Sequence, residues 1–297
     1  MKFVLTLIAA DGTALNVEMM EGVRDALRSL GAETGSLDWL APDHACDISF
    51  NNIAPDQADA AARHVIGTQT IDCIAQETEG RRKSLLLADM DSTMVTSETL
   101  DDLAAQTGLG EVIADITART MNGELDFAES VKERVMMLKG LPESALEVAY
   151  HQLELSPGAT TAVKTMKANG THFLLISGGF TYFTSRVAER IGFHEHMAND
   201  FMIEDGKLTG GVSEPVLTKE VKLETLIARA GSMGISTTAS VCVGDGANDV
   251  PMLKAAGLGV AYRGKPSVVA EIPARLDHAD LTGLLYAQGY RREEFVN

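Results

Sequence analysis

Leu85-Leu86-Leu87-Ala88 runs directly into Asp89-Met90-Asp91-Ser92-Thr93, so a short apolar stretch delivers two carboxylates to the point where a strand would end. Four apolar residues bounded by Lys83-Ser84 and by an acidic turn read as a strand buried on both faces of a parallel sheet. Ligands of such sheets sit beyond the carboxyl ends of the strands. Residues two apart on an extended backbone face the same way, so Asp89 and Asp91 can address one small ligand from one side. For a lone Asp-x-Asp, a turn that only satisfies local backbone donors is the simpler reading. The remainder of the chain decides between the two.

A chain of 297 residues has room for two domains of ~100–200 residues. Its formal charge of −17 argues against sequence-independent binding to nucleic acid or to an anionic membrane, because both need clustered Lys and Arg. The basic triplet Arg81-Arg82-Lys83 is too short for a docking patch and falls where a linker is expected. Cys46, Cys73 and Cys242 are widely spaced and odd in number, which points to reduced thiols in a cytoplasmic protein. Met1–Ala10 superficially suggests a secretory signal, but a first strand is expected there. No apolar stretch approaches the ~20 residues of a membrane span.

Within residues 1–80, Phe3–Ala9 is expected extended, Val17–Leu30 helical, and Ala32–Leu40 and Ala45–Phe50 extended. Ala54–Val65 is expected helical and Thr68–Ile74 a last strand. This β-α-β-β-α-β order is the ferredoxin-like α+β unit, and it resembles the ACT-type regulatory domains that often bind amino acids between subunits. The polar stretch Glu77–Ser84 marks the boundary between domains at 1–80 and 81–297.

Glu98–Tyr150 shows no convincing strand. Leu100, Leu103 and Ala104, then Val112, Ile113 and Ile116, then Val131, Val135 and Leu138 recur at helical spacing. A helical insertion at about 99–154, directly after a catalytic turn, forms a cap over it. The chain then alternates: helix Ala159–Asn169, strand His172–Ile176, loop Ser177–Phe180, a hairpin over Phe201–Val212, helix Lys222–Ala230, strand Ala239–Val243, loop Gly244–Asp249 and strand Gly257–Ala261. Such alternation predicts an α/β core, a Rossmann-like doubly wound parallel sheet with helices on both faces.

Three strand ends carry polar groups: Asp89 with Asp91, then Ser177, then Asp245 with Asp249. In a doubly wound sheet they meet at one edge. Carboxylates packed together repel unless protonated or neutralised, and hard oxygen ligands of this kind suit Mg²⁺.

Asp89-Met90-Asp91-Ser92-Thr93, Ile176-Ser177-Gly178-Gly179-Phe180, Lys222 and Gly244-Asp245-Gly246-Ala247-Asn248-Asp249 resemble, in order and spacing, the four motifs of haloacid dehalogenase-like phosphatases, and among them those acting on O-phosphoserine. The likeness runs from about Leu85 to Lys265 and takes in Glu98, the stretch Met121–Phe127 and Arg134; Ala88 and Gly264 depart from it. It implies Mg²⁺-dependent hydrolysis of O-phosphoserine to serine and phosphate through an aspartyl-phosphate, the last step of serine biosynthesis. By the same resemblance Asp89 is the nucleophile, and Asp91 protonates the seryl oxygen and then deprotonates water. Asp89, the Asp91 carbonyl and Asp245 would hold the metal, with Asp249 behind them. Ser177, Gly178, Lys222 and Asn248 would cradle the phosphoryl group. Met121 and Phe127 would close over the substrate, whose carboxylate would meet Arg134 and whose ammonium would meet Glu98.

Taken without the resemblance, Glu98 near a helix start reads as a residue favoured by the helix dipole. Arg134 lies on the flank of the Val131, Val135 and Leu138 stripe, so an inward and a snorkelling orientation are both open. Lys222 in the first turn of a helix opposes the dipole, which favours a role beyond solubility. Two rivals stay open: a phosphatase of this architecture acting on another small phosphomonoester, and an amino-acid-binding regulatory protein with a vestigial core. Every catalytic candidate lies beyond Ser84, so residues 1–80 are expected to be dispensable for catalysis and to serve a homodimer or a regulatory ligand.

Overall fold

The computed structural model describes residues 1–122 and 124–296. The amino-terminal unit comprises β1 (Phe3–Ala9), α1 (Val17–Ser29), β2 (Glu33–Ala41), β3 (Ala45–Asn51), α2 (Pro55–Ile66) and β4 (Ile71–Glu77). Its antiparallel sheet has the order β2-β3-β1-β4. Asn16 starts α1 by accepting from Met19 N at 2.8 Å, and Pro55 opens α2 without sacrificing a needed donor. Met20, Val23 and Leu27 of α1 and Ala58, Ala62 and Ile66 of α2 bury against Leu5, Leu7, Ile48 and Cys73 of the sheet. The last strand starts at Ile71 and not at Thr68, because the chain leaves α2 at Gly67 with φ +62° and turns before it can pair.

The rest of the chain comprises β5 (Leu85–Ala88), α3 (Thr99–Ala105), α4 (Gly110–Met121), α5 (Phe127–Met137), α6 (Ser144–Gln152), α7 (Ala159–Ala168), β6 (His172–Phe180), α8 (Thr181–Ile191) and β7 (Glu195–Asn199). It continues with β8 (Phe201–Glu204), β9 (Lys207–Val212), α9 (Lys219–Ser232), β10 (Ser240–Gly244), α10 (Val250–Ala255), β11 (Leu258–Tyr262), α11 (Pro266–Val269), β12 (Arg275–Leu276) and α12 (Gly283–Ala287). Six strands pair in parallel in the order β12-β11-β10-β5-β6-β7, with β8 and β9 as a separate hairpin. Leu86 and Ala88 join one core with Phe173, Leu175, Val241 and Val243, whereas Leu85 and Leu87 join another with Leu174, Ile176 and Cys242. Each buried leucine contributes ~1.5–3 kcal/mol, which seats β5 in the middle of the sheet.

Several boundaries differ from expectation. β6 runs on to Phe180, since the backbone stays extended while the ladder shifts register between Ile176 and Phe180 and lets Ser177–Gly179 bulge out of the pairing. α9 begins at Lys219, which puts Lys222 at the end of its first turn. In the cap, formed by α3–α6, Val112 is 51% exposed while Ile113 and Ile116 are buried, so the apolar stripe of α4 is narrower than its sequence suggests. The cap is tied to the core through the hairpin, with Gly140 N donating to Leu208 O at 2.8 Å and Leu208 N to Leu141 O at 2.9 Å.

Residues 78–84 are mostly exposed, but within them Arg81 is anchored to both units and Lys83 is buried. Arg81 donates from Nη1 to Asp47 Oδ2 at 2.5 Å and from Nη2 to Thr6 Oγ1 at 2.9 Å and to the carbonyls of Tyr286 and Ala287. Asp72 of β4 accepts from the N–H groups of Asp277, His278 and Ala279. Ile8, Leu40, Ala41, Ala45 and Ile74 share one core with Leu281, Leu284, Leu285 and Tyr286, so the amino-terminal sheet is packed onto the carboxyl-terminal segment. The three cysteines are buried and free. Among the described residues no helix is long and apolar enough to cross a membrane.

Candidate active site

β5 ends at Ala88, but its ladder continues one residue further, with Asp89 N donating to Val243 O at 3.0 Å. The chain then closes one wide turn, Val95 N to Met90 O, with Ser92 at φ +53°. A left-handed serine is disfavoured by ~1–2 kcal/mol. It is held there by Ser92 N donating to Ser97 O and by its hydroxyl donating to Glu98 Oε1 at 2.7 Å. The turn brings the carboxyl groups of Asp89 and Asp91 into one cavity.

The two acids have different partners. Asp89 Oδ1 accepts from Met90 N at 2.8 Å and from Lys222 Nζ at 2.9 Å, and the same ammonium reaches Asp249 Oδ1 at 2.7 Å. Asp249 Oδ2 accepts from Gly246 N at 3.0 Å, and a Cβ at Gly244 would stand 2.4 Å from that carboxyl, so only glycine fits there. Asp91 turns away from this cluster: Oδ1 accepts from Thr99 N at 2.8 Å and Oδ2 from Ser177 Oγ at 3.0 Å. Ser177 Oγ accepts in turn from Gly179 N at 2.8 Å.

Carboxylate oxygens of Asp89, Asp245 and Asp249 lie within 4.8 Å of one another. Asp245 Oδ1 accepts from Thr93 Oγ1 at 3.1 Å, but its Oδ2 is buried without a hydrogen-bond partner, the Lys265 ammonium standing 3.5 Å away. Burial, followed by the charge of Asp249, pushes Asp245 up to about 7, and the same two causes push Asp89 well above the carboxylate range against the pull of Lys222. Burial alone would lower the pKa of Lys222, but Asp249 and Asp89 outweigh it and raise it, so the lysine stays charged. Hard oxygens crowded beyond what the nearby ammonium groups neutralise, one of them orphaned, are a donor set that fits Mg²⁺.

The cap supplies the opposite wall. Arg134 is 4% exposed and lines the cavity, so its snorkelling alternative does not occur. It donates from Nε to Ser130 O at 3.2 Å and from Nη1 to Thr117 Oγ1 at 2.9 Å, and no carboxylate among the described residues pairs with it directly. Glu98 precedes α3 without capping it; burial first, and the charge of Asp91 second, push its carboxyl up to about 8. Phe127 lies over Gly178, where a Cβ would come within 2.2 Å of the ring. Asn248 lines the same cavity, with its Oδ1 buried and unpartnered. The side chain of Met121 lies outside the described residues.

The space at this cavity is about 20 Å³, room for little more than one water, with Phe127 closing over its Gly178 side. A second cavity of about 310 Å³, bounded by Thr120, Asp126, Thr218 and Lys219, adjoins it across Phe127 and Asn248. Sequence reasoning missed Ser92, Thr99, Thr117 and Lys265 as partners of Glu98, Asp91, Arg134 and Asp245. Ser92 and Thr99 flank assigned residues and could have been sought there; Thr117 and Lys265 carry no local signal.

The family model for haloacid dehalogenase-like hydrolase matches residues 86–254. The chain is 32% identical to a phosphoserine phosphatase of Saccharomyces cerevisiae over 306 residues, covering 100% of this chain and 99% of the relative. It is 38% identical to a phosphoserine phosphatase of Archaeoglobus fulgidus over 216 residues, 72% of this chain but 63% of that protein, and so spans less than two thirds of that relative. A solved structure of a phospho-aspartyl intermediate analogue of phosphoserine phosphatase aligns with a TM-score of 0.66 at 37% identity, over 69% of this chain and 98% of the other.

Proposed function

Because the chain belongs to the haloacid dehalogenase-like hydrolase family, we propose that it is a phosphatase that hydrolyses O-phosphoserine to serine and inorganic phosphate. The observation that carries this reading is a single cavity with a carboxylate cluster on its sheet side and, facing it from the cap, a buried guanidinium that no carboxylate among the described residues pairs with, beside a glutamate. A phosphorylated α-amino acid has the matching groups: a phosphate for Lys222 and the metal the core would hold, a carboxylate for Arg134, and an ammonium that would draw the raised Glu98 carboxyl back to its charged form. A sugar phosphate has neither of the last two.

Asp89 Oδ2, the oxygen not engaged by Met90 and Lys222, attacks phosphorus, and the bond to the seryl oxygen breaks as Asp91 gives that oxygen its proton. Burial raises the pKa of Asp91, against the bonds from Thr99 and Ser177, which favours a proton being there at the start. After serine leaves, the Asp91 carboxylate takes a proton from water, whose oxygen attacks phosphorus and breaks the bond to Asp89. Phosphate departs and both acids return to their first state. Ser177, the Gly178 N–H, Lys222 and Asn248 hold the phosphoryl oxygens during both steps. Asp89, the Asp91 carbonyl and Asp245, with Asp249 behind them, would hold Mg²⁺, which when bound offsets the phosphoryl charge and its repulsion from Asp89.

In this reading residues 81–297 are the phosphatase domain, with its cap at about 99–154. Residues 1–80 are an ACT-like regulatory or dimerising unit, and the protein works in the cytoplasm in serine biosynthesis. Phosphate release measured over O-phosphoserine, O-phosphothreonine, a sugar phosphate and an aryl phosphate, with and without Mg²⁺, tests the proposal. O-phosphoserine should be preferred and the metal required. A preference for the sugar phosphate would refute the substrate assignment.

A further inference from the structure

Arg134 on α5 is a buried cation whose aim is set by another side chain. Its Nη1 donates to Thr117 Oγ1 on α4 at 2.9 Å, and the Thr117 hydroxyl has two acceptors within reach: Asp101 Oδ1 on α3 at 2.6 Å and Ile113 O, one turn back on its own helix, at 3.0 Å. A hydroxyl has one proton to give. The shorter contact to a charged acceptor is the stronger, so the proton goes to Asp101 and a lone pair is left for the guanidinium. Thr117 is 3% exposed, and Asp101 stands behind it as the second-largest carboxylate influence on Arg134 after Glu98.

We propose that Asp101 and Thr117 form a positioning relay that fixes the Arg134 guanidinium for the α-carboxylate of the substrate, and so set the preference for a phosphorylated amino acid over an amine that lacks the carboxylate. The inference rests on the O-phosphoserine reading above. Thr117 touches neither the phosphate nor the carboxylate cluster, so its effect should fall on binding at the carboxylate end and not on phosphoryl transfer. A purely structural role, stapling three cap helices together, would act on every substrate alike.

The test compares O-phosphoserine with O-phosphoethanolamine, which keeps the phosphate and the ammonium but has no carboxylate. Thr117→Val keeps the shape and loses both hydrogen bonds; it should raise KM for O-phosphoserine about tenfold or more, the weight of a hydrogen bond to a charged group. Its kcat should stay within about twofold, as expected when binding common to ground and transition states is lost. O-phosphoethanolamine kinetics should not move, Thr117→Ser should restore the wild-type KM, and Asp101→Asn should raise KM by less than Thr117→Val. Melting temperatures of all three variants show that each is folded, and Thr117→Ser and Asp101→Asn carry the test if Thr117→Val is not. Equal losses on both substrates, or an unchanged KM for O-phosphoserine in a wild type that does prefer it, overturn the relay alone. A wild-type enzyme that uses both substrates equally well overturns the O-phosphoserine reading and the relay with it.

Discussion

Lys222 Nζ lies 2.9 Å from Asp89 Oδ1, with the lysine wholly buried. The lysine comes from α9 and the aspartate from the end of β5, so one ion pair fixes the helix to the sheet edge and orients the carboxyl group proposed above as the nucleophile. Removing one partner of a buried pair typically destabilises by ~3–5 kcal/mol, because the other charge is left without compensation. Lys222→Met should therefore lower stability by that order and abolish turnover. Adding Asp249→Asn should recover part of the stability but none of the activity, since the variants share one network. Denaturant titration of the single and double variants reads this; wild-type stability in Lys222→Met would contradict it.

Asp91→Asn should cost ~10²–10⁴-fold in kcat on O-phosphoserine, the usual range for general acid–base catalysis. The loss should be smaller on an aryl phosphate, whose phenolate leaves without needing a proton. Steady-state kinetics on both substrates decide the matter, and equal losses would remove Asp91 from the acid role.

Much of this site is legible in the sequence, for physical reasons. An unbroken apolar run bounded by charge, Leu85–Ala88, has to be buried on both faces, and the alternation after it brings Asp89, Ser177 and Asp245 to one edge. Arg81 shows the limit of such reading. Its acceptors on Asp47 and Ala287 are 34 and 206 residues away, and a basic triplet looks the same in a solvated linker as in a clamp. Thr117 is hidden for a similar reason, since a threonine bonded back to Ile113 O is ordinary within a helix and its contact with Arg134 exists only once α4 and α5 pack. Val112 falls on the expected stripe yet faces solvent, because the packing of α4 against α3 and α5 buries Ile113 and Ile116 and does not reach as far round the helix as Val112. Lys222 is legible as more than a surface residue because a cation in the first turn opposes the helix dipole, but its pairing with Asp89 and Asp249 exists only in the folded site.

The clamp at Arg81 changes what truncation should do. Every catalytic candidate lies beyond Ser84, which on the sequence alone makes residues 1–80 dispensable, but Leu281, Leu284 and Tyr286 pack against Ile8, Ala45 and Ile74. A fragment starting near Arg82 would expose that apolar surface and should lose stability and aggregate before its catalytic machinery is affected. In the full chain, Arg81→Met leaves Asp47 unpaired and should lower stability by ~3 kcal/mol or more. Thermal melting of both proteins checks this; an unchanged transition in the fragment would mean that the two units are energetically independent.

Metal removal should abolish turnover, and Mg²⁺ should raise the melting temperature of the wild type by mass action. Asp245→Asn, which replaces the acid with the orphaned oxygen, should abolish that rise. Ca²⁺ should inhibit by taking the same oxygens at longer distance and higher coordination number. Full activity after exhaustive chelation would exclude the metal from the mechanism.

The central claim is that Asp89 carries the phosphoryl group. Wild-type protein mixed with O-phosphoserine, quenched in acid and measured by intact mass and peptide mapping should show one added phosphoryl group on the peptide containing Leu85–Thr93, at Asp89. Asp89→Asn should show no added mass and no phosphate release. A phosphoryl group on any other residue, or multiple turnovers by a folded Asp89→Asn protein free of wild type, would contradict the account.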